Sequence, residues 1–148
     1  MRLLLDTHLA LWAIADSPRL PRLAREFIED PQHEVHVSAA SIWEIAIKHA
    51  LGRGDMPVSA AEALHWFREA GYHILAIAPE HAAAVEGLPP LHADPFDRLL
   101  VAQARTEPLR LLTHDPTVAG YGEPVLWLQS GTGNDIFSGR RVAAERPG

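Results

Sequence analysis

Four acids stand where carboxylates can do chemistry. Asp6 directly follows the aliphatic run Leu3-Leu4-Leu5, and Asp115 follows Leu111-Leu112-Thr113 with only His114 between. Glu44 lies six residues after Ser38, and Asp97 falls in the first turn after Asp94-Pro95. In open α/β sheets ligands bind beyond the carboxyl ends of the strands, so acids placed there carry particular weight. Four carboxylates in one cleft repel one another unless divalent cations sit among them, and an all-oxygen ligand set selects Mg²⁺ or Mn²⁺. Such ions neutralise a phosphodiester and activate the water that displaces its leaving oxygen. Each acid also has a plainer reading. Asp6 and Asp94 suit helix N-caps, and Asp97 suits N3 of a helix capped by Asp94. Glu44 completes Ser41-x-x-Glu44, a capping-box spacing, and precedes Lys48 by one helical turn. Asp115-Pro116 suits a turn. Taken singly the plainer readings suffice, so the case rests on the four together.

The elements that must position these acids follow from periodicity and punctuation. Residues 2–5 read as a strand and 7–15 as a helix with Leu9, Trp12 and Ala13 on one face. A helix over 21–29, a strand over 34–37 and a helix over 38–51 follow, the last stopping at Gly52 with Gly54 beyond. Residues 59–70 form a helix capped by Ser59 with Glu62, 73–77 a strand, and 79–86 a helix. Asp94 and Pro95 then start a helix as N-cap and N1, running to about Glu107. Strands over 110–113 and 125–128 complete the pattern. Strands alternating with helices predict the α/β class, with a mostly parallel central sheet flanked by helices. A domain over 1–128 is expected, followed by a mobile tail over 129–148, where the composition turns to Ser, Gly and Arg.

The chain of 148 residues is 47% apolar and 22% charged, the composition of a single globular domain that needs no metal or disulfide to fold. Without cysteine, thiolate zinc sites and iron–sulfur clusters are excluded. No apolar run approaches the about 20 residues of a membrane-spanning helix, and the N-terminus does not suit a signal peptide, so a cytoplasmic protein without membrane contact is expected. A formal charge of −6 argues against general attraction to phosphate backbones, so any nucleic-acid contact must be local.

Taken in order, four segments resemble the PIN-domain nucleases: Leu4-Leu5-Asp6-Thr7, Ser38-Ala39-Ala40-Ser41-Ile42-Trp43-Glu44, Asp94-Pro95-Phe96-Asp97-Arg98-Leu99-Leu100, and Thr113-His114-Asp115. Among them the likeness is to VapC-type toxins, the ribonuclease halves of bacterial toxin–antitoxin pairs, and covers about residues 1–128. The resemblance implies a metal-dependent endoribonuclease with a PIN-like fold. Asp6, Glu44, Asp97 and Asp115 match the family's acidic quartet and are assigned to catalysis and to Mg²⁺ or Mn²⁺, with Asp94 as a further candidate ligand. Thr7 and Thr113 are expected to orient carboxylates or water through their hydroxyls. Implied partners are RNA, a cognate antitoxin that masks the site, and a second copy of the chain in a homodimer. Many relatives carry a further acid two residues beyond the position of Asp115; here it is Thr117, which leaves the metal count open.

Two competitors are weighed against this reading. An aspartate-based phosphatase needs a second Asp two residues after the first, where this chain has His8. A catalytically silent binding module of the same fold would not need the quartet intact. The nine histidines give no recognised metal spacing; His8, His92 and His114 lie beside the acidic segments, where contact with substrate is conceivable, but packing or surface positions are the expectation for them. Trp12, Trp43, Trp66, Phe67 and Phe96 are expected in the core. Arg98, Arg105, Arg140, Arg141 and Arg146 could hold phosphates, Arg98 being nearest the acids, but a solvated surface position is the expectation for each.

Overall fold

A computed structural model describes residues 1–52 and 56–129; all of the expected tail but Gln129 falls outside the described residues, as do its arginines. Five strands, β1 (Arg2–Leu5), β2 (Glu34–Ser38), β3 (His73–Leu75), β4 (Arg110–Thr113) and β5 (Val125–Trp127), form one sheet in the order β3-β2-β1-β4-β5. Every pairing is parallel, so the expected mostly parallel sheet is wholly parallel among the described residues. Between the strands lie α1 (Thr7–Ile14), α2 (Arg22–Glu29), α3 (Ala39–Ala50), α4 (Ala60–Glu69), α5 (Pro79–Ala84), α6 (Pro95–Thr106) and α7 (Pro116–Ala119).

Strand alternation sorts the side chains into two cores. Leu3, Leu5, Val35, Val37, Leu112 and Leu126 pack on one face with Leu9, Ala24, Ile45, Ala63 and Phe67. Leu4, Leu111 and Val125 pack on the other with Leu100, Val101, Ala104 and Val118 of α6 and α7. The fully buried strand leucines each contribute roughly 1.5–3 kcal/mol, which makes β1 at the centre the most firmly held strand.

Local chemistry sets the helix starts. Ser59 and Glu62 form the expected capping box on α4, and Asp94 Oδ1 accepts from the Phe96 and Asp97 amides to open α6, with Pro95 at N1. The cap of α3 is Ser38, not Ser41, so Ser41 and Glu44 make no capping box. A buried polar chain ties the far side together: Ser38 Oγ donates to Gln103 Oε1 at 2.6 Å, and Gln103 donates to Ala76 O. Next in that chain, His81 pairs with Glu107.

Trp43 and Trp66 do not enter the core and are 56% and 53% exposed, because each lies on the outer side of its helix. Phe67 is fully buried as expected, while Trp12 and Phe96 are half-buried. The one-turn helix α7 had no periodicity long enough to announce it.

Candidate active site

Parallel pairing brings the ends of β1, β2 and β4 to one edge of the sheet. Leu5 pairs with Leu112, and the Asp6 amide donates to Leu112 O at 3.0 Å, so Asp6 and Thr113 leave the sheet side by side. From β2 the chain turns straight into α3, whose second turn carries Glu44 inward. Asp97 arrives on the first turn of α6 and Asp115 at the cap of α7. The result is a cleft of about 200 Å³ lined by Asp6, Thr7, His8, Glu44, Lys48, His92, Asp94, Asp97, His114 and Asp115.

Each deep carboxylate is gripped by a hydroxyl. Thr113 Oγ1 donates to Asp6 Oδ2 at 2.5 Å, while Asp6 Oδ1 accepts from the Leu9 amide at 2.8 Å and so also caps α1. Thr7 Oγ1 donates to Glu44 Oε1 at 2.7 Å and lies 2.8 Å from Ser41 Oγ. Lys48 Nζ closes on Glu44 Oε2 at 2.6 Å. Asp6, Thr7, Glu44 and Thr113 are all less than 8% exposed, so their rotamers are held by packing as well as by these bonds. Capping and clustering coexist here: the bonds that make Asp6 and Asp94 helix caps also fix where their carboxylates sit.

Electrostatics mark the cleft. Burial pushes the Asp6 carboxyl up, against the pull of its bonds from Thr113 and Leu9. For Asp97 the carboxyl rises to about 8, first through burial and then through the negative field of Asp94, Asp6, Glu44 and Asp115. A carboxyl raised by burial and, after it, by surrounding acids is the response expected of a site short of positive charge. The donor set suits a hard divalent cation, since carboxylate oxygens dominate it; one polar side-chain atom each of His92, Asp97 and Asp115 lie within 4.8 Å of one another.

Two placements differ from the sequence reading. Arg98 does not line the cleft. Its guanidinium donates to Pro89 O, Val85 O and the Tyr121 hydroxyl, which fixes it as a brace for the loop before α6. His92, expected in packing or at the surface, is in the cleft: Nε2 lies 3.1 Å from Asp97 Oδ2 and 3.4 Å from Asp115 Oδ2. Its adjacency to Asp94 was the one signal in the sequence. The loop course that turns it inward depends on the distant Tyr121, whose hydroxyl accepts from the His92 amide at 3.1 Å.

Comparison with known proteins agrees with this geometry. The PIN domain pattern matches residues 3–123. Ribonuclease VapC22 of Mycobacterium tuberculosis (strain ATCC 25618 / H37Rv) is 33% identical over 124 residues, covering 82% of this chain and 92% of that protein. The crystal structure of VapBC2 from Rickettsia felis, bound to a DNA fragment from their promoter, superposes with a TM-score of 0.65 at 14% identity over 88% of this chain and 100% of that one. A toxin–antitoxin complex from Klebsiella pneumoniae superposes with a TM-score of 0.55 at 18% identity, over 83% and 94% respectively. At those identities the structural likeness speaks for the fold.

Proposed function

The chain belongs to the PIN-domain family as a VapC-type member, and from that premise we propose that it is a Mg²⁺- or Mn²⁺-dependent endoribonuclease, the toxin of a toxin–antitoxin pair. The observation that carries the proposal is the convergence of Asp6, Glu44, Asp97 and Asp115 on one cleft, with the Asp97 carboxyl raised to about 8 by burial and by the surrounding acids. These four are the proposed catalytic and metal-holding groups. Asp94, whose Oδ1 already serves the helix cap, is a weaker candidate. Bound there, a divalent cation supplies the Lewis acidity and charge neutralisation that phosphodiester hydrolysis requires.

The protein's own contribution is preorganisation. Thr113 and the Leu9 amide hold Asp6, and Thr7 and Lys48 hold Glu44, so neither carboxylate has to be collected when the substrate arrives. No side chain needs to form a covalent bond to phosphorus. A negative cleft on a chain of charge −6 attracts phosphate poorly until it is loaded, which ties substrate binding to the cation. The same field favours an antitoxin segment that presents Arg or Lys to the carboxylates.

The test is cleavage of a total small-RNA pool by antitoxin-free protein with Mg²⁺, with Mn²⁺ and with EDTA, comparing wild type with Asp6→Asn. Metal-dependent cuts lost in the variant are expected. A folded protein that neither cuts RNA nor binds a divalent ion would overturn the proposal in favour of a silent binding module. For the partner, inhibition that survives loss of every basic residue in the antitoxin's masking segment would count against the charge argument.

A further inference from the structure

His92 occupies an unusual position. Its imidazole stands between two carboxylates that belong to different helices, Asp97 of α6 and Asp115 at the start of α7. Its tautomer is set from behind: the Asp94 amide points its N–H at Nδ1 from 3.2 Å, which makes Nδ1 the acceptor and leaves the proton on Nε2. That proton faces Asp115 Oδ2 at 3.4 Å and Asp97 Oδ2 at 3.1 Å, so Nε2 offers the acids a donor, not a lone pair. The loop that carries His92 is braced at both ends. Tyr121 accepts from the His92 amide, and Arg98 donates to Tyr121, Pro89 O and Val85 O. The ring is only about a fifth exposed, and it cannot swing away without breaking the Asp94 contact.

Building on the proposed metal-dependent nuclease, we infer that His92 is a resident clamp that joins Asp97 to Asp115 in the place a second cation would take, so that the cleft accepts one divalent ion and not two. Two carboxylates facing each other need a positive or donor group between them. Where that group is an N–H fixed to the protein, the space and the oxygen lone pairs it uses are not open to a metal ion. His92 is thereby a positioning residue: it sets the spacing of Asp97 and Asp115 and limits the ion count, without touching substrate.

Isothermal titration of the full-length, antitoxin-free protein with Mn²⁺, paired with Mn²⁺ electron spin resonance, tests this. About one ion per chain is expected for wild type, with the spectrum of an isolated Mn²⁺ and no coupling to an imidazole nitrogen. His92→Gln, whose amide N–H reaches the position of Nε2, should retain about one ion, and His92→Glu, which places ligand oxygens there, should take about two and give the spectrum of a coupled pair. Two ions in wild type, an imidazole nitrogen coupled to the metal, or a folded His92→Glu that still takes one ion would each overturn the clamp. The wild-type count decides the question even should a variant fail to fold. No Mn²⁺ binding by folded wild type would instead overturn the metal-dependent reading on which the clamp rests.

Discussion

Asp97 shows how a single residue reports on the whole cleft. Its ordinary pKa of 3.8 becomes about 8 in the folded chain, so between those values the native state holds a proton that the unfolded chain has released. Stability of the metal-free protein therefore falls as pH rises through that window, and the raised Asp6 carboxyl adds to the same slope. Thermal melts in EDTA should show this decline for wild type and a flatter profile for Asp97→Asn. Divalent ions compete with the Asp97 proton, so Mn²⁺ affinity measured by calorimetry should rise with pH up to about 8 and level off beyond. Thr113→Val removes the hydroxyl that donates to Asp6 Oδ2 while keeping the side-chain shape. It should cost about 1–2 kcal/mol in denaturant melts and lower cleavage by roughly 10–100-fold.

Caps and strand ends are the elements that carry the acids, and α6 separates two roles for Asp94. If Asp94 acts as the N-cap alone, Asp94→Ser keeps the helix start and keeps metal-dependent cleavage, whereas Asp94→Ala loses about 1 kcal/mol of stability. Chemical denaturation alongside the RNA assay distinguishes these outcomes. Elements of this kind were legible in the sequence, because Ser59 with Glu62, and Asp94 with Pro95, are local signals that need no tertiary partner. The sheet was legible for a similar reason: strands buried on both faces leave aliphatic runs such as Leu3-Leu4-Leu5. Less legible was anything decided by a partner far along the chain. Trp43 looked buried because apolar spacing marks a face without saying what covers it. Arg98 looked free for phosphate because its three acceptors lie on Val85, Pro89 and Tyr121. His92 could not be placed without knowing that Tyr121 would hold its loop. That the acids shared an edge was inferred from strand order, but their grip by Thr7, Thr113 and Lys48 is a matter of distances that only the structure supplies.

At the scale of the molecule, no helix among the described residues is long and apolar enough to cross a membrane, yet one face is apolar. Trp43, Ile47 and Leu51 recur every fourth residue on and just past α3 and are exposed, and Trp43 meets Phe96 edge-on beside a hollow lined by Val85, Pro95 and Leu99. A stripe of this kind favours burial against another protein surface, and a second copy of the chain, the homodimer that the family resemblance implies, would supply one. Trp43→Glu should shift sedimentation toward the monomer while leaving the metal titration unchanged; a wild type that is monomeric at high concentration would rule out a dimer through this face. Asp6 and Thr113, the pair at the heart of the cleft, are 107 residues apart in sequence. Asp115 comes later still, so on a ribosome the N-terminal acids emerge long before their partners have been synthesised. For the proposed nuclease, order of synthesis is thus order of assembly: Asp6 and Glu44 leave the ribosome long before Asp115, so the cleft can be complete only after β4 and the turn that follows it have been made.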